Sequence, residues 1–143
     1  MRKIIAVAGP TAVGKTKYAI ETAKAFNGEI VSCDSMQLYK YMAIGSAKPT
    51  AEEQAEVKHW LVDEIDPKEP FSVAKYAQMA KTAIEDIFSR SKTPVIEGGT
   101  GLYLNSLLYD MDFSGAPVDN ELRTTLEKEA ELFGPGYIYN KLK

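Results

Sequence analysis

Eight consecutive residues carry the plainest chemistry in this sequence: Gly9, Pro10, Thr11, Ala12, Val13, Gly14, Lys15 and Thr16. They fit the pattern G-x-x-x-x-G-K-[ST] at every defined position. Glycines at the two ends let the backbone wrap closely, so that peptide N–H groups face phosphate oxygens. A helix opening behind the loop adds its positive N-terminal end. Lys15 contributes a full positive charge, and Thr16 offers a hydroxyl to a Mg²⁺ ion. The spacing therefore predicts a cradle for a phosphorylated ligand, provided that a strand precedes it and a helix follows.

Two further positions qualify as site residues. Asp34 follows a short apolar run, and ligands of open α/β sheets bind beyond the C-terminal ends of strands. A carboxylate there faces the reacting end of whatever the loop holds; it reads equally well as a helix N-cap or an outer ligand of Mg²⁺. Thr100 sits in Gly98-Gly99-Thr100-Gly101, where glycines permit close approach of backbone to ligand. It reads equally well as a simple cap of the helix beginning at Gly101. Phosphoryl-transfer proteins with such loops often carry an aspartate at the end of a buried strand. The corresponding run here, Pro94 to Glu97, ends in glutamate and two glycines, a poor fit, with Asp34 or Asp63 as substitutes.

The elements that must hold these residues follow from periodicity. Lys3 to Ala8 reads as a buried strand, punctuated by Gly9-Pro10. A helix is expected from Gly14 to Phe26, with Asn27-Gly28 as its left-handed stop, then a strand from Glu29 to Cys33. That order implies a parallel βαβ unit, with the phosphate loop and Asp34 at the ends of neighbouring strands. Asp34 to Pro49 is expected as a functional loop. Thr50 and Glu53 form a capping box for a short helix to Glu56. A third strand is expected over Trp60 to Ile65, a helix capped by Ser72 to Arg90, a strand over Pro94 to Glu97, and a helix from Gly101 to Tyr109. Asp110 to Val118 reads as a linker. Asp119 or Asn120 caps a charged helix to Phe133, and a last helical stretch starts near Tyr137. The fold class is thus α/β, a parallel sheet flanked by helices.

Composition narrows the setting. With 45% hydrophobic residues among 143, the chain has enough apolar mass for one ordinary core. No run approaches the roughly 18 apolar residues of a membrane span, and Ile4 to Ala8 is too short for the apolar region of a secretory leader; a cytoplasmic protein without a membrane partner is expected. The lone Cys33 excludes an internal disulfide and a cysteine-based zinc site. A net charge of −3 argues mildly against a nucleic-acid surface within these residues.

Five blocks, in order and at matching spacing, resemble the tRNA dimethylallyltransferase (isopentenyltransferase) family. They are the loop from Gly9 to Thr16, Asp34-Ser35-Met36-Gln37-Leu38-Tyr39, Ile44-Gly45-Ser46-Ala47-Lys48-Pro49-Thr50, Phe71-Ser72-Val73, and Gly98-Gly99-Thr100-Gly101-Leu102-Tyr103. The resemblance implies a P-loop NTPase-like core over residues 1–112 and the start of an inserted helical domain over 113–143. It implies transfer of dimethylallyl from dimethylallyl diphosphate to the N6 amine of an adenosine beside the tRNA anticodon, with Mg²⁺ as cofactor. Residues Gly9 to Thr16 would grip the diphosphate and Thr16 the metal. Asp34 would be the base and Thr100 would touch the reacting groups. Asp34, Ser35, Met36, Gln37, Thr100 and Arg123 would contact tRNA. Tyr39 and Tyr103 are candidates to stack on an extruded base, though tyrosines near strand ends are more often core.

There are departures. Cys33 stands where that family has a small residue and reads as a buried filler. His59-Trp60 replaces a His-His pair, and His59 reads as structural. Family members are roughly twice as long and carry a later Gln-x-x-x-Arg block that nothing here matches. The chain is therefore expected to be the N-terminal part of a longer protein, inactive on tRNA by itself and monomeric at full length. The alternatives are a P-loop small-molecule kinase, an adenylate isopentenyltransferase and an inactive phosphate-binding fragment.

Overall fold

The computed structural model describes residues 2–109, 111, 113 and 119–143. Most of the expected linker at 110–118 lies outside the described residues. The chain divides into two compact units, residues 1–111 and 112–143.

The first unit is a four-stranded parallel sheet with helices on both faces. Its elements are β1 (Ile5–Ala8), α1 (Lys15–Ala25), β2 (Gly28–Ser32), α2 (Ala51–Glu56), β3 (His59–Trp60), α3 (Val73–Ser89), β4 (Thr93–Gly98) and α4 (Gly101–Leu108). The strand order is β1-β4-β2-β3, and every pairing is parallel. The phosphate loop and Asp34 are thus not on neighbouring strands as expected: β4 lies between β1 and β2, so its C-terminal end separates the two.

Side-chain alternation along the strands builds two cores. Ile30 pairs in register with Val95 and Val31 with Ile96. Ile30 and Val95 join Ala19, Ile20 and Ala23 of α1 on one face. Val31 and Ile96 join Tyr76, Ala80, Ile84 and Ile87 of α3 on the other. Each fully buried aliphatic side chain contributes about 1.5–3 kcal/mol, so both faces hold the central strands. The buried face of α3 recurs at helical spacing, and Ser72 caps the helix by accepting from the Lys75 N–H at 3.3 Å.

Three expectations need correction. Gly28 does not end α1; Asn27 takes the left-handed conformation (φ 49°), and Gly28 opens β2. A Cβ on Gly28 would come within 2.5 Å of the Thr93 carbonyl, so the glycine serves close strand approach. The third strand shrinks to His59–Trp60 because Leu61 and Asp63 are left-handed (φ 62° and 56°); Ile65 keeps an isolated bridge with Tyr39. The last helix begins earlier than expected, with Pro135 in its first turn.

Glu29, 2% exposed at the start of β2, ties this end of the sheet together. It accepts from Arg90 Nη1 and Nη2 at 2.5 and 2.8 Å, Lys92 Nζ at 2.8 Å and Trp60 Nε1 at 2.8 Å. Arg90, Lys92 and Trp60 hold its carboxyl far below the usual carboxylate range, against the opposing effect of burial.

The second unit is a helix pair, α5 (Asn120–Phe133) and α6 (Pro135–Lys141). Asp119 caps α5 by accepting from the Leu122 N–H at 2.8 Å. Lys141 pairs with Glu129 at 2.6 Å, and Phe133 packs on Tyr137.

Candidate functional site

The loop after β1 turns sharply. Ala12 and Gly14 both take positive φ, 67° and 85°, and glycine meets that demand at Gly14 without a side-chain penalty. Gly14 occupies the N-cap of α1, where no side chain caps the helix and the first turn carries no acid. Thr50, Ser72 and Asp119 cap α2, α3 and α5. The first N–H groups of α1 are therefore left for an anion. Lys15 Nζ donates to the Pro10 carbonyl at 2.7 Å, folded back over its own loop.

One cavity of about 330 Å³ joins the loop to the rest of the site. Thr11, Ala12, Gly14, Lys15 and Thr16 line it on one side, and Asp34, Met36 and Gln37 with the segment 45–47 on another. Gly9, Pro10 and Val13 are not among its lining residues. Glu97, at the end of β4, completes it.

Asp34 is not a helix cap. Its Oδ1 accepts from the N–H groups of Met36 (2.8 Å) and Gln37 (3.3 Å), which curls the segment after β2 into a turn. Gln37 is buried; it accepts from Ser32 Oγ at 3.2 Å and donates to the Ala47 carbonyl at 3.0 Å. That bond pins the 45–47 segment against the Asp34 turn. Lys48 anchors the far side, donating to the Tyr39 carbonyl at 2.6 Å and pairing with Asp63 at 2.5 Å. Asp63 is thereby committed to the loop and does not line the cavity.

Thr100 stands at the N-cap of α4 but makes no side-chain cap bond. Its hydroxyl instead accepts from the Ser35 N–H at 3.0 Å and donates to Ser35 Oγ at 3.3 Å. The ends of β2 and β4 are held tightly beside it. The Cys33 N–H donates to the Glu97 carbonyl at 2.6 Å and the Thr100 N–H to the Cys33 carbonyl at 3.1 Å. A Cβ on Gly98 would fall 2.3 Å from the Cys33 carbonyl, so only glycine fits there.

Glu97 is the residue that sequence reasoning set aside. It is 3% exposed, and Thr16 Oγ1 donates to its Oε1 at 3.4 Å. Burial pushes its carboxyl above the ordinary range, and Lys15 and Thr16 pull it part of the way back. The signal available in the sequence was an acid closing an apolar strand just before two glycines. Thr16 and Glu97 together offer hard oxygen donors of the kind a divalent cation takes. Among the described residues, no group of three or more His, Cys, Asp or Glu is placed to hold a metal unaided.

Cys33, His59, Tyr103 and Tyr39 do not line that cavity. Cys33 is buried, and burial pushes its thiol up to about 11, which makes it a filler and not a nucleophile. His59 is held by the Val57 carbonyl at 2.8 Å, and burial lowers its pKa, as a structural role requires. Tyr103 stacks on Tyr76 at 4.1 Å within the core. Tyr39 packs edge-on against Phe71. Arg123 lies on α5 in the second unit, exposed and paired with Glu127 at 3.1 Å. Among the described residues, no helix is long and apolar enough to cross a membrane.

A glycine-framed loop between β1 and α1, an uncapped helix start and a lysine lining the cavity beside them define a P-loop α/β protein. A sequence profile of the IPP transferase family matches residues 37–143. The chain belongs to that family. It is 54% identical to the tRNA dimethylallyltransferase of Acetivibrio thermocellus, covering 100% of this chain and 46% of that protein. It is 52% identical to the tRNA dimethylallyltransferase of Clostridioides difficile, covering 100% of this chain and 47% of that protein. The structure of the full-length tRNA isopentenylpyrophosphate transferase from Bacillus halodurans superposes with a TM-score of 0.78 at 43% identity, over 99% of this chain and 47% of that one. A eukaryotic dimethylallyltransferase captured acting on tRNA gives a TM-score of 0.77 at 31% identity, over 89% of this chain and 32% of that one. The chain spans about half the length of the curated relatives it matches.

Proposed function

We propose that this chain forms the donor half of a tRNA dimethylallyltransferase: it grips dimethylallyl diphosphate and presents a base to the adenosine N6 amine beside the anticodon. The observation that carries this reading is that Lys15, Thr16 and Asp34 line one cavity. A leaving-group site and a carboxylate base thus share the same space. The named activity of the relatives supports the choice of substrates.

In this reading the diphosphate lies in the loop from Gly9 to Thr16, between Lys15 and the uncapped start of α1. The N6 lone pair attacks the allylic C1, the C1–O bond breaks, and its electron pair leaves on the diphosphate. Lys15 and the α1 N–H groups stabilise that growing charge, the electrostatic contribution that usually dominates. The proton lost by the amine goes to the Asp34 carboxylate, a general-base contribution of about 10²–10⁴-fold. Thr16, with the Glu97 carboxylate beside it, would hold Mg²⁺, which supplies positive charge to the diphosphate oxygens. Thr100 acts through Ser35, fixing the turn that carries Asp34. Met36, half exposed on the cavity wall, offers apolar contact to the dimethylallyl group, and Gln37 holds the same wall in place.

Residues 1–112 serve as the P-loop core and residues 113–143 as the start of a helical insertion, with exposed Arg123 available to exchange its surface ion pair for an RNA phosphate. A tRNA substrate supports a cytoplasmic location. The test is transfer of radiolabelled dimethylallyl by a protein extended to the length of the relatives. Label entering intact tRNA and not AMP supports the reading. Phosphate transfer from ATP in place of prenyl transfer overturns it.

A further inference from the structure

Tyr39 and Tyr103, the two aromatic candidates for stacking on a base, both pack into the core. Tyr41 is the opposite case. It is 85% exposed, and among the described residues its side chain makes no hydrogen bond or ring contact. Its backbone is left-handed, φ 65°, a conformation that a bulky residue holds only under constraint. The constraint is visible on both sides. The Lys40 N–H donates to the Ile65 carbonyl at 2.9 Å, and Tyr39 bridges Ile65. On the other side, Ser46 Oγ donates to the Met42 carbonyl, and Gln37 Nε2 holds the Ala47 carbonyl at 3.0 Å. Gly45, Ser46 and Ala47 line the phosphate cavity, so Tyr41 stands one residue from a carbonyl bonded to the cavity wall. Lys40, its neighbour, has no ion pair or side-chain hydrogen bond among the described residues. An exposed ring on an anchored loop, beside an unpaired ammonium, suits an unpaired nucleotide: the ring meets the base and the ammonium the phosphate. For the fold itself, the ring brings backbone strain and no packing.

We propose that Tyr41 stacks on an unpaired tRNA base next to the adenosine that enters the cavity, with Lys40 on an adjoining phosphate; this rests on the reading of the chain as the donor half of a tRNA dimethylallyltransferase. Stability and tRNA binding then pull in opposite directions at position 41. A residue that only shaped the loop would move both the same way.

The experiment uses Tyr41→Gly, which removes the ring and the left-handed strain together. In thermal unfolding of the 143-residue chain, Tm should rise by about 2–4 °C, since glycine adopts that conformation freely. In prenyl transfer by a protein extended to the length of the relatives, KM for tRNA should rise about tenfold, the scale of one lost base stack. The kcat and the KM for dimethylallyl diphosphate should stay unchanged, as loss of uniform binding requires. Tyr41→Phe keeps the ring and should match the wild type. Lys40→Gln should reduce the salt dependence of tRNA binding by about one ion. Three results overturn the proposal while leaving prenyl transfer intact: an unchanged KM for tRNA in Tyr41→Gly, an unchanged salt slope in Lys40→Gln, or a lower Tm for Tyr41→Gly in the extended protein, where the ring would then be packed against the rest of the molecule. Absence of prenyl transfer to tRNA by the wild type overturns the proposal and the reading together.

Discussion

The Thr100 hydroxyl accepts a hydrogen bond from the Ser35 backbone N–H at 3.0 Å, joining the start of α4 to the turn that carries Asp34. A residue at a helix N-cap position thus braces a loop 65 residues away in sequence. Thr100→Val keeps the shape and removes the acceptor. Stability should fall by about 0.5–1.5 kcal/mol in urea denaturation, the net worth of one hydrogen bond. Pyrophosphate affinity should be unchanged, and turnover in a full-length protein should drop. Loss of pyrophosphate binding would show that Thr100 acts on the cradle itself.

Asp34→Asn separates the turn from the chemistry. The asparagine carbonyl can still accept from the Met36 and Gln37 N–H groups, which Asp34 Oδ1 now serves. The turn and diphosphate binding should persist, while turnover in a full-length protein falls by about 10²-fold or more, the scale of general-base catalysis. A kcat within about threefold of wild type contradicts the base role.

How much of this was legible beforehand depended on the range of the interactions. The phosphate loop, the Thr50–Glu53 capping box and the Ser72 and Asp119 caps are local, and their side chains sit where the spacing put them. Strand order is not local. Insertion of β4 between β1 and β2 arises from pairing across most of the unit, and it is what brings Glu97 under Thr16. The short β3 was hidden because nothing in Leu61-Val62-Asp63 announces two left-handed residues. Thr100 looked like a cap because its position is one; its bond to Ser35 is a tertiary choice.

The Glu29 cluster predicts an acid-sensitive fold. Its folded pKa lies below the ordinary unfolded value of about 4.3. The stabilisation is therefore fully present above that value and is lost as pH falls through the window beneath it, since the unfolded chain takes up the proton first. Glu29→Gln should cost about 1–3 kcal/mol at pH 7, moderated because Arg90 and Lys92 are partly exposed. The gap between mutant and wild type should close in denaturation curves taken below about pH 4. A gap that stays constant from pH 7 to pH 3 contradicts the assignment.

On the proposed function, the loop from Gly9 to Thr16 serves a prenyl diphosphate and not a nucleoside triphosphate. Calorimetric titration of the 143-residue chain in Mg²⁺, with dimethylallyl diphosphate and with ATP, tests it most directly, with Lys15→Ala as the control. Dimethylallyl diphosphate is expected to bind more tightly than ATP, and Lys15→Ala to abolish its binding. Tight ATP binding with no measurable dimethylallyl diphosphate binding, or affinity for the latter that survives Lys15→Ala, would contradict it.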